Sequence, residues 1–286
     1  MSWVTYALGS VILFTSLNLV QRKIASDSPY PRATAVVFNL WASLFVIILF
    51  FLTGSYRHLS FPTEPLAYVF MLVACAAYAA FERWRFTAAK LLEASVLSII
   101  SNLSAVIAFV LAVFLYSEPL TVEKIIGGGL IIFALFLVNW TGKSKEKVSL
   151  KGIMVATFIF TALGVAWSLD KKGAQYFNAD TYQIFVWIVP LVFIYFPYVK
   201  RSELIREAKR TSWKVVLLAI LNVVGYYLQL KAFELTEATL LIPVLQTSTL
   251  LTVALAIIIF GEKEHKYKKV IAAIIALFGS YLLITQ

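Results

Sequence analysis

Hydrophobic positions along this chain come in long, unbroken runs separated by short polar breaks. Ten such runs fall at approximately 2–20, 33–53, 66–85, 93–116, 122–140, 151–169, 180–198, 213–230, 238–260 and 267–285. A helix of roughly 17–25 apolar residues crosses a hydrocarbon core about 30 Å thick, so each run reads as one crossing. The longest connections, near 54–65, 141–150 and 199–212, are too short to hold a separate soluble domain. The pattern predicts an all-α integral membrane protein of ten transmembrane helices. The first run is expected to be a span and not a cleavable signal, because no basic residue precedes Trp3 and the run is too long.

The apolar runs are written twice. Residues 72–134 match 216–278 at an offset of 144 positions without a gap. Glu93-Ala94-Ser95 recurs as Glu237-Ala238-Thr239, Ser104 as Ser248, Leu111-Ala112 as Leu255-Ala256, Glu118 as Glu262 and Lys124 as Lys268. The earlier runs match in a register near 149, which sets Arg22-Lys23 over Lys171-Lys172 and Ala25 over Ala174. The expected organisation is a first five-helix repeat over 1–140, a polar linker over 141–150 and a second five-helix repeat over 151–286. An odd number of crossings per repeat makes the second half enter from the opposite side. Duplication with inverted topology is the usual trace of a transporter whose site lies between its halves.

Charge supports the inversion. The chain is 61% hydrophobic and 14% charged, whereas soluble domains carry about 25% charged residues. Its net charge of +10 reads as orientation and not as nucleic-acid binding, because Lys and Arg in short loops stay cytoplasmic. The five connections on one side hold 20 of the Lys and Arg residues, and the other side, with both termini, holds 5. Both termini are therefore expected outside the cytoplasm, in a multi-pass cell (inner) membrane protein. The basic segment Lys200-Arg201…Lys209-Arg210 then lies on the cytoplasmic side, where it meets membrane lipids. The single cysteine, Cys75, sits inside a run and has no partner for an intrachain disulfide.

Polar residues inside the runs are the candidates for function, since at membrane depth they face protein or water and not lipid. Tyr78, Glu82 and Arg85 share one helical face, and the duplication sets them over Asn222, Tyr226 and Gln229. Asn102 is set over Gln246. These faces predict a central cavity lined by the third, fourth, eighth and ninth runs. Trp41, Trp167 and Trp187, deep in the second, sixth and seventh runs, are further candidates for stacking on a planar or cationic solute. Each has a plainer reading: Asn and Gln join helices by hydrogen bonds, Glu82 and Arg85 are spaced to pair with each other, and tryptophans pack. No predicted span centre carries Asp or Glu, so no obligatory carboxylate relay is expected. Gly127-Gly128-Gly129, Gly164, Gly225 and Gly279 read as places where helices approach closely.

With its ten spans in two halves, Glu93-Ala94-Ser95 and Glu237-Ala238-Thr239 before the fourth and ninth spans, and Glu118 and Glu262 after them, the chain resembles the drug/metabolite transporter superfamily, EamA type. Phe260-Gly261-Glu262 and the runs Lys124-Ile125-Ile126-Gly127-Gly128 and Lys268-Lys269-Val270-Ile271-Ala272 carry the same resemblance. It implies a secondary transporter with a central site and alternating access, moving amino acids, nucleobases or other small metabolites. It also implies cytoplasmic termini, from which the charge count here departs.

The expected function is secondary-active or exchange transport of a small-molecule substrate. A flippase for lipids or amphiphiles is the alternative, and a membrane-embedded enzyme comes third. His58 and His265 are the only histidines, and neither a metal-ligand cluster nor a nucleophile–His–carboxylate set can be assembled around them. No cofactor, metal or nucleic-acid partner is expected.

Overall fold

The computed structural model of the chain describes residues 2–25, 28–92, 94–139, 149–196, 198–260 and 266–285. Among these, all regular structure is helical. The helices are α1 (Trp3–Ala25), α2 (Pro31–Leu52), α3 (Pro65–Leu91), α4 (Ala94–Tyr116), α5 (Val122–Asn139), α6 (Leu150–Tyr195), α7 (Arg201–Phe233), α8 (Ala238–Phe260) and α9 (Lys266–Ile284), with a short 3₁₀ turn at Ser55–Arg57. Among the described residues, α1, α2, α3, α6 and α7 are long and apolar enough to cross a membrane. The predicted linker, apart from Ser149 and Leu150, and the duplication anchors Glu93 and Glu262 lie outside the described residues.

Two helices depart from the simple order of runs and breaks. The sixth and seventh runs were expected to be separated by a connection over 170–179, but α6 continues through it for 46 residues. At about 1.5 Å per residue that is roughly twice the thickness of a hydrocarbon core. The helix is broken only at Asn178, whose φ of 55° and ψ of 164° are not helical, and its two arms fold back on each other. A methyl group on Gly173 would lie 2.1 Å from the Tyr182 ring, so the close approach at the turn requires glycine. The strained backbone at Asn178 is held by its own side chain, which donates to the His58 carbonyl (2.6 Å) and accepts from Thr181 N–H (2.9 Å). Glu234 accepts from Ala179 N–H (2.6 Å), capping the second arm from α7's end.

The other departure is α7, which starts within the predicted connection 199–212. Its first part runs to a break at Ser212 (φ 47°, ψ −136°). That part is pinned by Glu207, fully buried, whose carboxylate accepts from Thr34 Oγ1 (2.8 Å), Tyr30 N–H (3.3 Å) and Arg210 (2.8 Å). Glu207 thereby supplies acceptors at the start of α2, where Pro31 opens the helix and no local side chain caps it.

Packing follows the small residues. α3 lies along α6, α5 against α9, and α1 against α7. The α5–α9 contact is backbone on backbone: a methyl group on Gly279 would sit 2.7 Å from the Gly127 carbonyl oxygen. Gly164 in the same way lets α6 meet the Ser104 carbonyl of α4. In α1, Ser10 donates to the Gly225 carbonyl of α7 (2.9 Å). Gly129, by contrast, faces open space.

Glu118, in the connection between α4 and α5, ties three elements. It accepts from Lys171 Nζ (2.6 Å) of α6, and from Ala238 N–H (2.9 Å), Thr239 N–H (2.9 Å) and Thr239 Oγ1 (2.6 Å) at the start of α8. A carboxylate at a helix N-terminus satisfies orphan N–H groups and opposes the helix dipole. Burial alone would push its pKa up, but the bonds from Lys171, Thr239 and Ala238 outweigh it and hold the carboxyl below its ordinary 4.5.

Two outcomes follow from these contacts. Gly279→Ala is expected to lower the unfolding free energy of the purified protein by about 1–3 kcal/mol, read as a fall in thermal midpoint, while Gly129→Ala leaves it unchanged. Glu118 stabilises the fold above its unfolded pKa, and that contribution is lost as pH falls through the lower folded value. Glu118→Gln should therefore start about 3 kcal/mol below the wild type at neutral pH and lose less on acidification below about pH 4.5. Thermal melts across that range, in one detergent, read both effects.

Candidate functional site

The structure gathers its polar interior around a residue the apolar runs did not mark. Asp170, on the first arm of α6, is 0% exposed. Its Oδ2 accepts from Tyr78 Oη of α3 (2.6 Å) and from Gln229 Nε2 of α7 (3.2 Å). Its Oδ1 accepts from Tyr226 Oη of α7 (2.8 Å) and from Tyr182 Oη of α6's second arm (3.3 Å). Four donors from three helices thus converge on one carboxylate. Among the described residues no Lys or Arg pairs with it, since the neighbouring Lys171 is engaged by Glu118.

Removing a carboxylate from water costs several kcal/mol, and hydrogen bonds to a charged group return about 1.5–3 kcal/mol each. Four of them offset part of that cost without a cation. A carboxyl group held by three hydroxyls and an amide can exchange those neutral donors for a cationic nitrogen or gain and lose a proton.

Aromatic rings surround this centre. Tyr78 and Tyr226 meet edge to face with centroids 5.9 Å apart, and Trp187 meets Tyr226 in the same manner at 6.0 Å. On its other side Trp187 meets Phe38 of α2 at 6.3 Å. Over Phe38, at 4.6 Å, lies the Arg85 guanidinium. Arg85 and Glu82 form a buried ion pair (Nε–Oε2 3.0 Å), and Asn39 Nδ2 of α2 donates to the same carboxylate oxygen (3.3 Å). The ion pair lies within α3 and is buried, and Asn39 ties it to α2.

Of the residues singled out from the sequence, the structure brings Tyr78, Tyr226 and Gln229 together on Asp170 and places Glu82 and Arg85 beyond Phe38 and Trp187. Asn222 is half-buried one turn from Tyr226. Asn102 is buried in α4 and Gln246 half-buried in α8, and neither is among the four donors to Asp170. The polar convergence is therefore built by α3, α6 and α7, where the duplicated faces predicted the third, fourth, eighth and ninth runs. Trp167 is half-buried against the main core; the tryptophan in the ring row is Trp187.

Asp170, one residue beyond the end of the sixth predicted run, is a buried helical carboxylate that the predicted span centres did not include. The apolar run ends at Leu169, and Asp170-Lys171-Lys172 looks like a loop, but the helix does not end there. The sequence held one sign of this: no glycine–proline or Asn-Gly break follows Lys172, and the first special backbone position is Asn178.

Comparison with known proteins agrees with this architecture. A solved structure described as "Crystal structure of protein" superimposes with a TM-score of 0.73, covering 98% of this chain and 95% of its own, at 14% identity. At that identity the likeness is one of fold. No curated protein matches the sequence. The model of the EamA-like transporter family matches residues 1–140 and again 150–285. With matches in both halves and long apolar helices that make it a multi-pass membrane protein, the chain belongs to the EamA-like transporter family.

Proposed function

We propose that this protein is a secondary-active or exchange transporter that carries a small polar or aromatic metabolite by alternating access, with the cluster around Asp170 as its central site. The observation that carries this reading is the convergence of α3, from the first half, with α6 and α7, from the second, on one buried carboxylate. A site shared by both halves is rebuilt whenever the halves rock against each other, which is what alternating access needs.

In this reading the chain crosses the membrane ten times, through α1 to α5, the two arms of α6, the part of α7 after Ser212, α8 and α9. Residues 1–140 and 151–286 are the two inverted repeats. Both termini lie outside the cytoplasm of a cell (inner) membrane, as the Lys and Arg bias favours. Glu118 and Lys171, with the start of α8, then close one end of the path. The Glu207 contact between α2 and α7 holds the other.

Asp170→Asn is the direct test, because it keeps the shape and removes the charge. Purified wild-type protein screened against metabolite pools is expected to gain thermal stability from its ligand, by about 2.7 kcal/mol at a hundredfold excess over Kd. The variant should lose that gain, and uptake into proteoliposomes should fall at least about tenfold, equivalent to about 1.4 kcal/mol. Transport by Asp170→Asn at the wild-type rate, with and without a pH gradient, would remove Asp170 from the site.

A further inference from the structure

Gln183 Oε1, Trp187 Nε1 and Arg85 Nη2 are buried atoms with no hydrogen-bond partner among the described residues, and Trp187 and Arg85 belong to the ring row that leads from Asp170. The residues that bear them are 1%, 6% and 8% exposed. Native interiors leave few such atoms, and each one marks a place for water or a ligand. These three are not chemically alike: one is an acceptor and two are donors. Gln183 and Trp187 lie one turn apart on one face of α6's second arm. Trp187 bridges Tyr226, which donates to Asp170, and Phe38, which carries the Arg85 guanidinium.

The polarity of this row is ordered. Acceptors, the Asp170 carboxylate and Gln183 Oε1, stand toward one end. Donors, the Trp187 indole N–H and the free edge of the Arg85 guanidinium, stand toward the other. Glu82 faces Arg85 only at Nε (3.0 Å), and a guanidinium has five N–H donors. Aromatic rings line the row between them. The ends are well apart: Tyr78, which holds Asp170, and Arg85 are seven residues apart on α3, an axial rise of about 10 Å.

Resting on the transport reading of this centre, we propose that the substrate is a zwitterion whose cationic nitrogen and carboxylate are several carbons apart, as in an ω-amino acid. The nitrogen binds Asp170 and Gln183 Oε1, displacing tyrosine hydroxyls. The carboxylate accepts from Trp187 Nε1 and Arg85, and the methylene chain lies along Tyr226, Trp187 and Phe38. An α-amino acid, with both charges on one carbon, reaches one end of the row only.

The test uses the full-length purified protein and four probes of similar size: ε-aminocaproate, its isomer leucine, hexylamine and hexanoate. Calorimetric titration is expected to show ε-aminocaproate binding at least about tenfold more tightly than the other three. Trp187→Phe and Gln183→Leu, checked for an unchanged monodisperse profile and thermal midpoint, should each weaken it by about fivefold or more. Leucine or hexylamine binding as tightly overturns the proposal, and so does undiminished ε-aminocaproate binding in both variants. If none of the four binds while another solute binds in an Asp170-dependent way, the ω-amino acid is overturned and the transport reading stands. If ε-aminocaproate binds as expected but never crosses a proteoliposome membrane, the site assignment stands and the transport reading falls.

Discussion

A carboxylate buried without a cation constrains everything around it. Asp170 has no counter-charge among the described residues, so its stability depends on four neutral donors staying in place. Those donors come from α3, both arms of α6, and α7, which fixes how the helices meet. The arms of α6 must fold back for Tyr182 to reach Asp170, and Gly173 permits that approach. Tyr226 and Gln229 must share a face of α7, and their spacing of three residues ensures it. In the proposed transport reading the same bonds allow change, because neutral donors are more readily exchanged for a ligand than a salt-bridged lysine is displaced.

The other buried carboxylates are staples of a different kind. Glu118 and Glu207 each serve the start of a helix that is not their own, α8 and α2, and each is paired with a cation. Asp180 gathers Ser55, Tyr227 and Lys231 near the turn of α6. Glu82 is paired with Arg85 and Asn39. Within lipid-facing helices the hydrophobic effect does little to choose partners, so such polar contacts select which helices touch. Asp170 is the one carboxylate of this set that lacks a cation among the described residues, which sets it apart from the staples.

Several parts of the site were legible in the sequence. Tyr78, Tyr226 and Gln229 stand out because they interrupt apolar runs on the faces that duplication sets over each other. Small residues such as Gly127, Gly164 and Gly279 mark tight helix contacts for the same reason, since lipid-facing positions have no need of them. Asn102 and Gln246 obey the same logic, yet they are not donors to Asp170. Internal symmetry pairs positions on the backbone; it does not make both members of a pair serve one centre. Asp170 itself was hidden because a hydropathy pattern stops at the first cluster of charges, and Asp170-Lys171-Lys172 resembles a loop. Lys171 tolerates its place only because Glu118, more than fifty residues earlier, meets it there.

By itself the sequence determined that the chain is a duplicated, apolar, helical membrane protein, because length, hydropathy and repetition are properties of segments. It also showed that Lys and Arg are unevenly shared among the breaks between apolar runs, because that count is made one break at a time. Only the tertiary structure decided that α6 turns back on itself at Asn178, that Glu82 serves Arg85 and Asn39, and that Asp170 is the point of convergence. Those outcomes depend on which donors meet which acceptors across helices far apart in sequence. A buried charge is viable or not according to partners that no local pattern contains.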